Sequence, residues 1–119
     1  MPAEGSGLGI GKVSGAPAAA VVSWGSLAAQ SGTATRYDEL TGALGALRSA
    51  GGFSGASCLA NDVTATAMTS TQAWPPTSTS LGYWYLVRGQ NACGRGTYGN
   101  GTPVPDPRDP LDGSASPCP

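Results

Sequence analysis

The run Tyr83-Trp84-Tyr85-Leu86-Val87 leaves few choices for the rest of the chain. It packs three aromatics, a Leu and a Val into five positions, and no other segment is as apolar or as rich in strand-favouring residues. The segment Tyr83 to Gly94 therefore reads as the central strand of a β-sandwich. With a period of two, Tyr83, Tyr85, Val87 and Gly89 point one way, and Trp84, Leu86, Arg88 and Gln90 point the other. The first set is a core face. The second is unusual, because a solvent face does not ordinarily begin with Trp and Leu.

The stretch Tyr85-Leu86-Val87-Arg88-Gly89-Gln90-Asn91-Ala92-Cys93-Gly94 resembles the F strand of fibronectin type III-like domains, whose usual pattern is Tyr-x-Val-Arg-Ala-x-Asn-Ala-x-Gly. Its continuation through Gly96, Thr97, Tyr98 and Gly99, with Cys118-Pro119 at the end, is similar to modules at the C-termini of secreted bacterial multidomain proteins. The resemblance covers roughly residues 6–100 and says little about function, since this sandwich hosts many roles. It implies an all-β fold: a seven-strand antiparallel Greek-key sandwich spanning 6–100, preceded by a disordered 1–5 and followed by a Pro/Gly/Asp-rich tail over 101–119.

On that frame, 6–13 is an edge strand alternating Gly with Leu8, Ile10 and then Val13, and 18–25 is the second strand with Trp24 in the core. Arg36 to Leu40 is the third. There Tyr37 faces inward, and Glu39 departs from the family pattern, because a lone buried carboxylate is costly. Either Leu40 takes the core site or Glu39 is paired or at a rim. Residues 41–52 carry Leu44 and Leu47 at helical spacing, weakened by Gly42 and Gly45, and predict a short helical turn or a strand closed by Gly51-Gly52. Phe53 to Asp62 reads as a loop. Residues 63–71 alternate and predict a strand with Val63, Ala65 and Ala67 inward. Trp74-Pro75-Pro76 forces an extended connection, since double proline has no place in a central strand.

Composition narrows the function. Charged residues make up 11% of the chain and the net charge is −1, which argues against the basic stripe of a nucleic-acid binder and against a polybasic membrane patch. No stretch is long and apolar enough for a membrane helix, so no membrane insertion is expected. Met1 to Ser6 has neither a basic nor a hydrophobic run and does not read as a signal peptide. Three Cys in a low-charge, Gly- and Thr-rich β chain favour a mature piece of a secreted protein, placed outside the cell.

Chemistry is thin. With no histidine, the commonest general base and transition-metal ligand are missing. The adjacent acids Asp38 and Glu39 point to opposite faces of a strand and cannot flank one glycosidic bond. No enzyme activity and no cofactor are expected. Gly94-Arg95-Gly96-Thr97-Tyr98-Gly99 matches a dinucleotide fingerprint in spacing, but no helix can follow into Pro103, so the glycines read as turn residues. Asp106, Asp109 and Asp112 could hold Ca²⁺, though their spacing fits no EF-hand and a solvated Pro-rich turn explains them as well. Asn100-Gly101-Thr102 fits the glycosylation acceptor pattern.

In the sandwich implied by the resemblance, Cys58 and Cys93 occupy loops at one end. A Cys58–Cys93 disulfide is expected, with Cys118 left over; Cys93–Cys118 is the competing bridge. Two functions stay open. One is a structural or adhesive extracellular module, with Trp84 and Leu86 as an interface through which copies or a protein partner associate by strand addition or tail exchange. A monomer whose tail covers Trp84 and Leu86 accounts for the same residues. The other function is a carbohydrate-binding module stacking a polysaccharide on Trp74, Trp84, Tyr83 or Tyr98. Packing is the preferred reading for each of these aromatics.

Overall fold

The computed structural model describes residues 7–13, 16–70, 72, 78–99, 104–113 and 117–119. Strand β1 (Gly9–Val13) pairs with β2 (Ala16–Ser23). After a short helix α1 (Ala28–Ser31) comes β3 (Arg36–Ala43), followed directly by α2 (Leu44–Ala50) and then β4 (Ser57–Val63). Strand β5 (Ala67–Ser70) returns to pair with β2. Strand β6 (Tyr83–Asn91) lies beside β3 and carries the two-residue β7 (Gly94–Arg95) on its other edge. A last short helix, α3 (Asp109–Asp112), sits in the C-terminal segment. The fold is mostly β, in two antiparallel sheets ordered β1-β2-β5 and β4-β3-β6-β7.

The period-two pattern of β6 decides both faces of the larger sheet. Tyr85 and Val87 join Val22, Trp24, Leu27 and Tyr37 in a buried cluster between the sheets, with Val63 and Met68 against it. Tyr37 is held there by more than apolar contact. Its hydroxyl accepts the Leu27 N–H at 2.8 Å, and its ring sits 5.7 Å from that of Trp24. Register places Tyr37 opposite Gly89, Glu39 opposite Val87 and Thr41 opposite Tyr85, so all three β3 side chains face the other sheet. Asp38, Leu40 and Gly42 face the opposite way.

Three expectations from the sequence change. Ser57 to Val63 is a strand rather than part of a loop. Asn61 and Asp62 read as turn formers, but pairing with β3 overrides that preference. Asp62 takes φ 56°, a left-handed conformation that Asp tolerates better than most residues, where the ladder shifts register. Strand β5 is shorter than expected, and its inward residues are Met68 and Ser70, while Ala65 and Ala67 are exposed. Of the expected inward set, Val63 does pack against the core from the end of β4, whereas Ala65 and Ala67 are one residue out of phase, which exchanges the two faces of a strand. Third, Glu39 is neither at a rim nor paired: it is fully buried on the inner face.

The weak helix signal after β3 resolves as α2, which stops at Gly51 with φ 67°. Its start is fixed from outside, since the Leu44 and Gly45 N–H groups donate to Gly82 O and Ser80 O at 2.9 and 2.8 Å. Just before it, Gly42 lets the Trp84 indole lie flat across β3. A Cβ at Gly42 would fall 2.5–2.8 Å from three atoms of that ring. Gly42→Ala is therefore expected to cost about 1–3 kcal/mol through overpacking. Denaturant unfolding should show the loss in full, and a variant within a few tenths of the parent would mean Trp84 is not seated there.

Candidate functional site: the covered outer face of the larger sheet

The outer face of β3 and β6 would be bare if the chain ended at β7. Leu40 and Leu86 form one cross-strand pair on it, and Gly42 and Trp84 the next. The C-terminal segment folds back over this surface. Leu111 of α3 and Cys118 are buried, and with Leu40 and Tyr98 they form a second hydrophobic cluster, against which Phe53, Ala56, Cys58, Trp84 and Leu86 pack. The Phe53 ring meets Trp84 edge-on, 5.1 Å between centroids. The cover is covalent at its far end: Cys58 of β4 is joined to Cys118, with a Cα–Cα distance of 5.0 Å.

Beside the apolar patch lies a buried polar network. Arg88 and Asp38 are register partners, both wholly buried, and Arg88 Nε donates to Asp38 Oδ2 at 2.8 Å. Arg88 Nη2 donates to the Cys118 carbonyl at 3.3 Å, so the charge also grips the covering segment. The Tyr98 ring lies over the guanidinium, 4.7 Å from its centroid to Cζ. Asp38 Oδ1 accepts from Gln90 Nε2 at 3.1 Å and from the Asp62 N–H at 3.0 Å, and Gln90 Nε2 also donates to the Asp62 carboxylate. With its amide nitrogen turned inward, Asn61 donates to Asp38 Oδ1 and to Pro119 O at 3.2 Å each.

The acidic run of the tail works as local scaffolding. Arg108 clamps Asp106 through Nε–Oδ1 at 2.9 Å and Nη2–Oδ2 at 2.7 Å. Asp109 accepts the Asp106 N–H at 3.1 Å, and Asp112 accepts the Tyr98 N–H at 2.8 Å. Burial raises the Asp112 carboxyl above its usual value, and the Tyr98 N–H and the Arg88 charge partly oppose that shift. Among the described residues no group of three acids, Cys or His converges as a metal site would. In the Gly-x-Gly-x-x-Gly run, Gly94 and Arg95 form β7, and Gly99 leaves room for Arg108, whose Nη1 would lie 1.8 Å from a Cβ there.

Several sequence expectations are corrected by this geometry. The disulfide is Cys58–Cys118, not Cys58–Cys93, and Cys93 is a free, exposed thiol. Cys58 lies opposite Leu40, which lies opposite Leu86. Cys93 is seven residues further along the chain from Leu86, about 20 Å at the rise of a strand, and two strands away. No disulfide spans that gap. The competing Cys93–Cys118 bridge is absent for the same reason. Tyr98 is only 3% exposed and offers no ring face to solvent, in line with the packing reading of the aromatics rather than the sugar platform. Trp84 and Leu86 are half-buried against the chain's own tail, the alternative to an open interface. Trp74 and the Asn100 acceptor pattern lie outside the described residues.

A groove of about 480 Å³ runs between the 50–56 turn and the C-terminal segment, with Phe53, Pro107, Pro110, Leu111 and Pro117 in its walls. Among the described residues its lining holds no titratable side chain. Sequence reasoning missed the Arg88–Asp38–Gln90 network and the role of Leu111. Two signals were available. Arg88 shares a face with Trp84 and Leu86, and Leu111 is one of the few apolar residues in the tail. Comparisons with protein-family models, with curated proteins and with solved structures gave no match.

Proposed function

We propose that this chain is a non-catalytic structural module, a spacer or adhesive unit of an extracellular protein, built as a seven-strand Greek-key sandwich like fibronectin type III domains. The observation that carries the reading is the covalent closure of the outer face by the tail. Such a bridge suits an oxidising setting outside the cell. It also covers Leu40, Leu86 and Trp84, leaving at its margin a groove walled by Phe53, Leu111 and prolines. The two antiparallel sheets, β1-β2-β5 and β4-β3-β6-β7, are compatible with an all-β sandwich. Burial of Tyr98 and packing of Trp84 against Phe53 remove two of the rings a sugar platform would use.

Polysaccharide pull-down separates the two functional classes. The spacer reading predicts no retention on insoluble polysaccharides by the folded chain. Retention that disappears in a Trp84→Ala variant of unchanged circular dichroism would establish the carbohydrate-binding class instead.

Self-association has a narrower basis than the sequence suggested. With Trp84 and Leu86 covered, the apolar residues left exposed near an edge are Leu8 and Ile10, 48% and 62% exposed, beside and within β1. Edge strands with exposed apolar residues invite pairing. Light scattering of the purified chain at high concentration, with and without reductant, is expected to return a monomer. Growth that persists in reductant would assign β1 to assembly, and growth abolished by reductant would assign it to Cys93.

A further inference from the structure

Glu39 sits at the centre of the larger sheet on its inner face, with Ala60 of β4 and Val87 of β6 as register partners. It is 0% exposed, and among the described residues neither carboxylate oxygen has a hydrogen-bond partner. Every other acidic or basic residue of these strands turns away from it. Asp38, Asp62 and Arg88 are joined in the outer-face network, and Arg36 is exposed opposite Gln90. The facing strands β2 and β5 hold no charged residue and bring Val22, Met68 and Ser70 to the interface. Lys12, on β1, lies at the register position opposite Ala20 on the sheet's edge. Among the described residues the other titratable groups on the inner face are two phenols, both engaged: Tyr37 with the Leu27 N–H, and Tyr85, which donates to Ser70 Oγ at 3.0 Å.

We propose that Glu39 is a pH-sensitive latch between the two sheets: as a neutral acid it packs with the core, and as a carboxylate it pushes the sheets apart. The direction follows from burial. An isolated carboxylate in apolar surroundings is far more costly than the neutral acid. Burial lifts Glu39 from its ordinary 4.5 to about 7. Between those values the folded chain holds a proton that the unfolded chain has released. Stability is therefore complete below pH 4.5, falls as pH rises through the window, and levels off above about 7. Hydroxyl and amide groups lie next along this face. Thr41 follows on the same face, where Gln72 Nε2 donates to its Oγ1 at 3.0 Å, and the Tyr85–Ser70 pair bridges the sheets beside it. Movement of Glu39 into that cluster disturbs the Gln72–Thr41 and Tyr85–Ser70 bonds that tie the two sheets, so loosening starts at this end. The module is thus built to hold tightest in acidic surroundings.

Thermal unfolding of the whole chain from pH 4 to pH 8.5, with Glu39→Gln alongside, tests the latch. The folding constant of the parent should drop on the order of a hundred-fold across the window. Glu39→Gln should lose most of that drop, keeping only the part due to Asp112, whose carboxyl is shifted the same way. Parallel curves for the two proteins would overturn the proposal. Should the Gln variant fail to fold, carboxyl ¹³C titration of the parent decides. A Glu39 midpoint near 7 supports the latch, and one near 4.5 refutes it.

Discussion

Cys118→Ser is expected to lower the unfolding free energy by about 4 kcal/mol, because the bridge to Cys58 spans a sequence separation of 60 and long loops are the costliest to close. The loss should not be purely entropic. Without the bridge, the segment carrying Leu111 and the Cys118 carbonyl is free to lift from the sheet. Leu40, Leu86 and Trp84 would meet water, and Arg88 would lose one acceptor. Tryptophan emission should shift to the red before global unfolding, and reductant should give the parent the same phenotype. Cys93→Ser is the control. Cys93 is exposed and unbridged, so its replacement should leave stability within about half a kcal/mol, as for ordinary surface substitutions.

Arg88→Met is expected to cost about 3–5 kcal/mol, comparable to or larger than loss of the disulfide. The cost does not measure how much the ion pair stabilises the fold. It reflects Asp38 left charged in a site with 0% exposure, holding only the Gln90, Asp62 and Asn61 donors. One consequence separates this account from simple loss of packing. Asp38→Leu combined with Arg88→Met should cost clearly less than the sum of the two single changes, since the stranded charge is then gone. Denaturant unfolding of the two single variants and the double variant at neutral pH gives the reading, and strictly additive losses would contradict it.

How much of this was legible in the sequence depended on whether local pattern and tertiary contact agreed. In β6 they agreed. The alternation from Tyr83 onward placed Tyr85 and Val87 in the core and Trp84, Leu86 and Arg88 on the other face, and Tyr37 and Trp24, expected inward, are buried in the same core. The helix after β3 was also readable, because Gly51 supplies the left-handed stop its length requires. In β4 they disagreed. Asn61 and Asp62 carry turn chemistry, and only pairing to β3 makes that segment a strand. That one misreading also misplaced the bridge, since Cys58 was set in a loop near Cys93 instead of on the opposite edge strand of the sheet. Glu39 was singled out as costly, yet both explanations offered assumed that the cost would be avoided. The structure retains it, which is why the residue became informative. The tail was the least legible part. Its Pro, Gly and Asp content describes its turns, while its destination depends on Leu111 and Cys118 meeting a sheet face made 20 to 80 residues earlier, by order of magnitude, in the chain.

The central claim is that the C-terminal segment is tied over the outer face of β3 and β6. Peptide mapping of the folded chain, alkylated and digested without reduction, tests it most directly. The account predicts one cross-linked species joining the peptides of Cys58 and Cys118, with Cys93 alkylated. A cross-link from Cys93 to either partner would contradict it, because the tail could not then lie over Leu40, Leu86 and Arg88.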